Sequence, residues 1–189
     1  MLDVIIISSF LGIGLAMDAC AVSMANGMNE PKMKFSKVLL IAIMFGLFQG
    51  FMPFLGYLVG ANTLAKIEWI IPWVALILLG FIGGKMLIEG IKGEEGEEKK
   101  VNLTFKTLII QAIATSIDAL TVGFSISNYK MDEAIVCVLL IAIITCIICI
   151  GGVFIGKKFG TKLGTKAEIF GGIILLLIGL EIFISGIFF

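Results

Sequence analysis

With 59% hydrophobic and 15% charged residues over 189 positions, and a mean hydropathy of +1.13, the chain is far more apolar than a soluble domain, whose apolar share is roughly 45–50%. Fourteen acidic residues balance fourteen basic ones, all of them lysine, and histidine is absent; with no basic excess, a nucleic-acid partner is excluded. Cys20, Cys137, Cys146 and Cys149 all fall inside apolar stretches, so nothing supports a disulfide framework of the secreted kind.

A spanning helix needs about 20 apolar residues, and six stretches qualify, at 2–26, 36–59, 69–91, 105–128, 133–156 and 167–189. The expected fold is an all-α integral membrane protein of six transmembrane helices. The first stretch has Asp3 where a signal peptide has a basic region, and it is too long for a signal core. It therefore reads as a spanning helix, with Gly14, Asp18, Ala21 and Ala25 along one face. The second helix lines up Gly46, Gln49, Gly50 and Pro53. A proline here leaves the Gln49 carbonyl without its usual partner, so an amide and a backbone oxygen could face a cavity; the plainer reading is a kink with a glycine packing face. The third helix carries Lys85 and Glu89, a self-neutralising i and i+4 pair near its end, where snorkelling accounts for the lysine.

The fourth helix holds an oxygen-rich stripe of Gln111, Thr115, Asp118, Thr121 and Ser125 in an otherwise apolar run. In the fifth, Cys146 and Cys149 have the Cys-x-x-Cys spacing, but within a spanning helix and with no histidine in the chain they read as small packing residues. The sixth opens with Glu168, suited to a helix N-terminus or to gating ion entry, and holds Glu181 deeper. Glu181 reads as a third acidic ligand, a proton carrier or a counter-ion of Lys85.

Lysines 32, 34, 37, 92, 99, 100, 106, 157, 158, 162 and 166 fall in or beside the first, third and fifth loops, against Lys66 and Lys130 in the second and fourth. The positive-inside rule puts the first group in the cytoplasm and both termini outside. An offset of 100 residues aligns Asp18-Ala19 with Asp118-Ala119, Val22 with Val122, Gly56 with Gly156 and Gly60 with Gly160. An offset of 96 pairs Gly83 with Gly179 and Gly90 with Gly186. The chain therefore reads as one transmembrane domain of two three-helix repeats, 1–92 and 101–189, joined by a short charged cytoplasmic loop at 92–104. Three helices per repeat make the second enter the membrane in the opposite sense, an inverted repeat of the kind found in secondary transporters.

Asp18 and Asp118 fall near the middle of their helices. An aspartate at helix centre costs about 2.5–3.5 kcal/mol on insertion scales, so the repeated pair points to function in preference to interhelical hydrogen bonding. The candidate metal ligands are Asp18, Asp118, Gln49, Thr115 and Thr121; Glu181, Glu168, Lys85 and Glu89 are candidate proton-handling or accessory groups. Carboxylate, amide and hydroxyl oxygens suit manganese, magnesium or calcium. The cation is substrate, and no cofactor is expected.

The segments GLAMDACAVSMANG at 14–27 and AIATSIDALTVGFS at 112–125 resemble the paired signatures of the MntP family of manganese efflux pumps. The resemblance continues through FGLFQGFMPFLGYLVG at 45–60, GGKMLIEG at 83–90 and GKKFGTKLGTKAEIFGG at 156–172. It implies a six-helix exporter of the lysine exporter superfamily with Asp18 and Asp118 as the functional pair. The expected activity is Mn2+ export across the cell membrane by proton antiport. The rivals are an exporter of amino acids or another small solute, a cation channel, and an intramembrane aspartyl protease, whose Gly-x-Gly-Asp setting neither aspartate has.

Overall fold

The computed structural model describes residues 2–59, 71–92, 103–127, 129–163 and 167–188. They form helices α1 (Leu2–Asn29), α2 (Phe35–Val59), α3 (Ile71–Lys92), α4 (Phe105–Thr115), α5 (Ile117–Ser125), α6 (Met131–Leu163) and α7 (Ala167–Phe188). Since α4 and α5 are consecutive halves of one rod, the architecture is six helices, all-α. Four of the rods, 4–29, 35–59, 105–125 and 131–160, are long and apolar enough to cross a membrane. The surface agrees with that solvent: Phe10 and Phe81 are each 74% exposed among many outward-facing Ile, Leu and Phe side chains, a coverage that water would not tolerate.

Pro31 cannot donate a backbone hydrogen bond, and α1 ends just before it at Asn29. The turn that follows is closed by Glu30 N–H to the Asn26 carbonyl (3.2 Å) and Met33 N–H to the Glu30 carbonyl (3.0 Å). Glu30 then pairs with Lys37 on the first turn of α2 at 2.5 Å. At the start of α6, the Lys130 N–H donates to Glu133 Oε2 (3.2 Å), the backbone half of a capping box. α6 runs two turns beyond the apolar stretch read from the sequence, carrying Lys157 and Lys158 with it. There Lys157 Nζ donates to the Met33 carbonyl at 2.8 Å, tying the α1–α2 turn to α6.

The pairing of helices ignores chain order. α1 packs chiefly against α6, α2 against α6 and α5, and α3 against α7. Small residues permit the closest crossings: a Cβ on Gly56 of α2 would strike the Leu120 carbonyl, one on Gly123 of α5 the Pro53 carbonyl, and one on Gly156 of α6 the Met24 carbonyl. Trp73 and Phe183 meet edge to face across α3 and α7 at 4.7 Å.

Two apolar clusters fill the interior. The larger joins Ala19, Val22 and Ala25 of α1 to Met33, to Val38–Phe45 of α2, to Leu108–Ala114 of α4, to Cys149 and Val153, and to Leu79, Ile82, Leu175 and Ile178. The smaller contains Leu15, Ala119, Ile126, Cys137, Val138 and Ile141. The first gathers at the end where Lys37, Lys106 and Lys157 reside, the second at the opposite end. All four cysteines are free.

Candidate cation site

Along α1 the change from one cluster to the other falls between Leu15 and Ala19, and along the α4–α5 rod between Ala114 and Ala119. Asp18 and Asp118 occupy those junctions. Their carboxylates are within electrostatic reach of one another, so two helices distant in sequence present like charges to one region in the middle of the bundle. Two such groups in a low-dielectric interior repel unless a cation or protons neutralise them.

The fourth rod is not the continuous helix that its apolar run suggests. It breaks at Ser116, whose backbone leaves the helical region (φ −109°, ψ 7°) and whose N–H turns back to the Ile113 carbonyl (3.2 Å). The two adjacent hydroxyls bond the preceding turn instead. Thr115 Oγ1 donates to the Gln111 carbonyl (3.0 Å) and Ser116 Oγ to the Ala112 carbonyl (2.6 Å), a back-bonding that bends or interrupts helices. α5 restarts at Ile117, and Asp118, in its first turn, accepts the Ala119 N–H at Oδ1 (2.8 Å). The carboxylate thus sits in the first turn of a short half-helix, an arrangement that gathers polar groups around a break.

Gln49 is wholly buried on α2. Its Nε2 donates to the Leu15 carbonyl (2.6 Å), one turn before Asp18, which fixes the amide on α1 near the carboxylate level. Oε1 has no partner among the described residues. A buried amide oxygen without a donor is costly, and it is a ready ligand for a hard cation.

The break also separates the stripe read on the fourth helix. Thr115 and Gln111 are buried on α4, whereas Thr121 is exposed on α5 and Ser125 bonds only the Thr121 carbonyl (3.4 Å). Gln111 faces α1: Asn26 Nδ2 donates to Gln111 Oε1 (2.9 Å) and Gln111 Nε2 to Asn26 Oδ1 (3.2 Å). Asn26 lies off the face that carries Gly14, Asp18, Ala21 and Ala25, and a partner 85 residues away leaves no trace in helical spacing. Glu181 is exposed on α7 but within electrostatic reach of Asp18. Among the described residues no three Asp, Glu or Cys side chains converge as a metal cluster. The side chains of Lys85, Glu89 and Glu168 lie outside the described residues.

Beyond the aspartates, away from the lysines, lies a shallow apolar groove of about 460 Å3 lined by Ile7, Phe10, Leu11, Gly14 and Leu15 of α1 and Val122 of α5. Gly14 and Leu11 are four and seven residues before Asp18 and Val122 is four after Asp118, so the groove continues the faces that carry the carboxylates.

The sequence profile of a family described as "Putative manganese efflux pump" matches residues 32–183. The chain belongs to the MntP family. Relatives of that name extend the match to nearly full length: one from Ruminiclostridium cellulolyticum is 44% identical over 180 residues, 95% of each chain. Another, from Rippkaea orientalis, is 46% identical over 181 residues, 95% of this chain and 96% of the relative. A third, from Methanospirillum hungatei, is 42% identical over 184 residues, 97% of this chain and 95% of the relative. No solved structure matches. The family is one of transporters, not of enzymes, which removes the protease reading.

Proposed function

We propose that this chain exports Mn2+ from the cytoplasm through a site at the middle of the bundle, with Asp18 and Asp118 supplying the charge and Gln49 Oε1 and Thr115 Oγ1 supplying neutral oxygens. The observation that carries the reading is the convergence of the two carboxylates beside a broken helix and a buried amide oxygen that lacks a donor. A divalent ion satisfies all of these at once. Oxygen donors of this kind suit a hard cation such as manganese, and the family supplies the metal by name.

The two-repeat organisation, 1–92 and 101–189, is part of the proposal. With α1 matched to α4–α5, α2 to α6 and α3 to α7, exchanging the halves converts the α1–α6 contact into the α2–α5 contact and leaves α3–α7 in place. The close crossings at Gly56 and Gly156 exchange in the same way. This supports an inverted repeat with the site at its interface. The lysine distribution supports both termini outside.

Moving a divalent cation out against an inside-negative potential costs about 4.6 kcal/mol per 100 mV, twice the single-charge value, so export has to be coupled. Protons are the coupling ion of this proposal: Asp18 and Asp118 take up Mn2+ when ionised and release it outside when protonated. The test is Mn2+ uptake into inverted vesicles under an imposed proton gradient, with the intact chain and with Asp18→Asn and Asp118→Asn at equal expression. Uphill uptake lost in both variants is expected. No uptake by the intact chain would end the metal assignment, normal uptake by the variants would end the site, and uptake indifferent to the gradient would end proton coupling.

A further inference from the structure

Positive charge at the lysine-rich end is not spread evenly. The stretch 92–106 balances four lysines with four glutamates, whereas residues 30–37 and 157–168 together hold seven lysines against Glu30 and Glu168, and Glu30 is taken by Lys37. The fold brings the two basic segments together. Lys157 Nζ donates to the Met33 carbonyl and lies 5.6 Å from the centre of the Phe154 ring, on which Phe35 stacks at 6.4 Å. Lys34, beside Phe35, and Lys158, on the same face of α6 as Phe154, are both exposed. The first turn of α2 contains no acidic residue, so its N-terminus adds a further positive end to the patch.

Below these lysines α2 and α6 present matching apolar stripes. The two helices cross in opposite directions, since a Cβ on Gly46 would meet the Ala142 carbonyl and one on Gly50 the Val138 carbonyl. That register sets Phe35, Leu39 and Ile43 of α2 level with Phe154, Gly151 and Ile147 of α6, all of them exposed. A Cβ on Gly151 would meet nothing within 4 Å, which leaves a recess one turn below Phe154. The 100-residue offset supplies an internal contrast: Tyr57 and Leu58 stand where Lys157 and Lys158 do, Ala134 where Lys34 does, and Phe51 where Gly151 does. The other end of the bundle therefore has neither the cations nor the recess.

We infer that the α2–α6 surface at the lysine-rich end is a docking site for an anionic diacyl phospholipid. Lys34, Lys157, Lys158 and the α2 N-terminus hold its phosphate, and one acyl chain lies over Gly151 between the two stripes. After the Met33 carbonyl, Lys157 keeps two ammonium donors for a headgroup oxygen. Charge complementarity selects an anion, and the apolar stripes that run on from the cations select a lipid over a free phosphate. The inference rests on the membrane-spanning fold and is independent of the transported ion.

The test titrates the full-length chain, purified in neutral detergent, with phosphatidylglycerol, with phosphatidylcholine of the same acyl chains and with inorganic phosphate. Retained lipid is read by native mass spectrometry and stability by thermal unfolding. Phosphatidylglycerol is expected to bind first as one molecule per chain, to raise Tm, and to exceed phosphatidylcholine in affinity by about tenfold. Lys34→Gln with Lys158→Gln should weaken phosphatidylglycerol binding by about thirtyfold. Gly151→Leu should weaken both lipids by about tenfold, the share of two displaced methylenes, and Lys130→Gln at the other end should change nothing. Should the double variant not fold, Lys158→Gln alone, with a loss of about fivefold, carries the same expectation. Equal binding of the two lipids, affinities unmoved by the lysine or glycine substitutions, or stabilisation by inorganic phosphate equal to that by phosphatidylglycerol would each overturn the lipid site.

Discussion

At the lysine-rich end, α1, α2, α4 and α6 close on the larger apolar cluster and are tied by Asn26–Gln111, Glu30–Lys37 and Lys157 to the Met33 carbonyl. At the other end the cluster is smaller, a shallow apolar groove is lined by α1 and Val122 of α5, and Tyr57 donates to the Tyr129 carbonyl (3.1 Å). The same six helices run through both halves, so composition does not account for the contrast. What differs is which small and polar residues meet where helices cross.

The largest effect is expected at the boundary between the two halves. Asp18→Asn or Asp118→Asn should lower Mn2+ transport about a hundredfold or more, because loss of a ligand exceeds the 10–100-fold typical of its supporting groups; the check is vesicle flux at matched expression. Equal residual transport in both variants would sharpen the view that the boundary is a single shared site. Packing comes next. Gly156→Ala, whose Cβ would strike the Met24 backbone on the lysine-rich side, should destabilise the protein by about 1–3 kcal/mol in thermal unfolding in detergent. Gly14→Ala at the other end should leave stability unchanged or raise it by about 0.5–1 kcal/mol. Similar losses at both positions would break the comparison.

A smaller effect attaches to the buried amide. Gln49→Leu keeps the volume and removes Oε1, so the concentration of Mn2+ needed for half-maximal transport should rise about tenfold with a modest change in maximal rate. An unchanged half-saturation would remove Gln49 from the ligand set. The smallest is Glu30→Gln, which breaks a partly exposed ion pair at the α1–α2 turn and should cost less than about 1 kcal/mol, read in the same unfolding assay. A larger loss would make the turn a main element of the closed end.

Much of this was legible in the chain. Apolar runs longer than a bilayer needs placed the rods to within a few residues, except that α6 runs two turns further at its C-terminal end, since hydrocarbon admits helices and little else. The carboxylates at 18 and 118 stood out because charge is scarce in such runs. The break at Ser116 was not legible: neither proline nor glycine marks it, and hydroxyls are common in continuous membrane helices as well. Nor was the separation of Thr121 from Thr115, which follows from that break. Gln49 could be named as polar and helical, but its anchoring on Leu15 depends on which helix stands opposite.

The sequence by itself determined the solvent, the number and extent of the apolar helices, and the two residues whose charge demands a purpose. These follow from short-range rules of length and polarity that each segment obeys alone. Only the tertiary structure decided that α1 stands against α6 and α2 against α5, that the two aspartates share one region, and that Asn26 finds Gln111. Those outcomes depend on which small residues allow two backbones to approach and which buried polar groups find partners, and both belong to pairs of helices far apart in the chain.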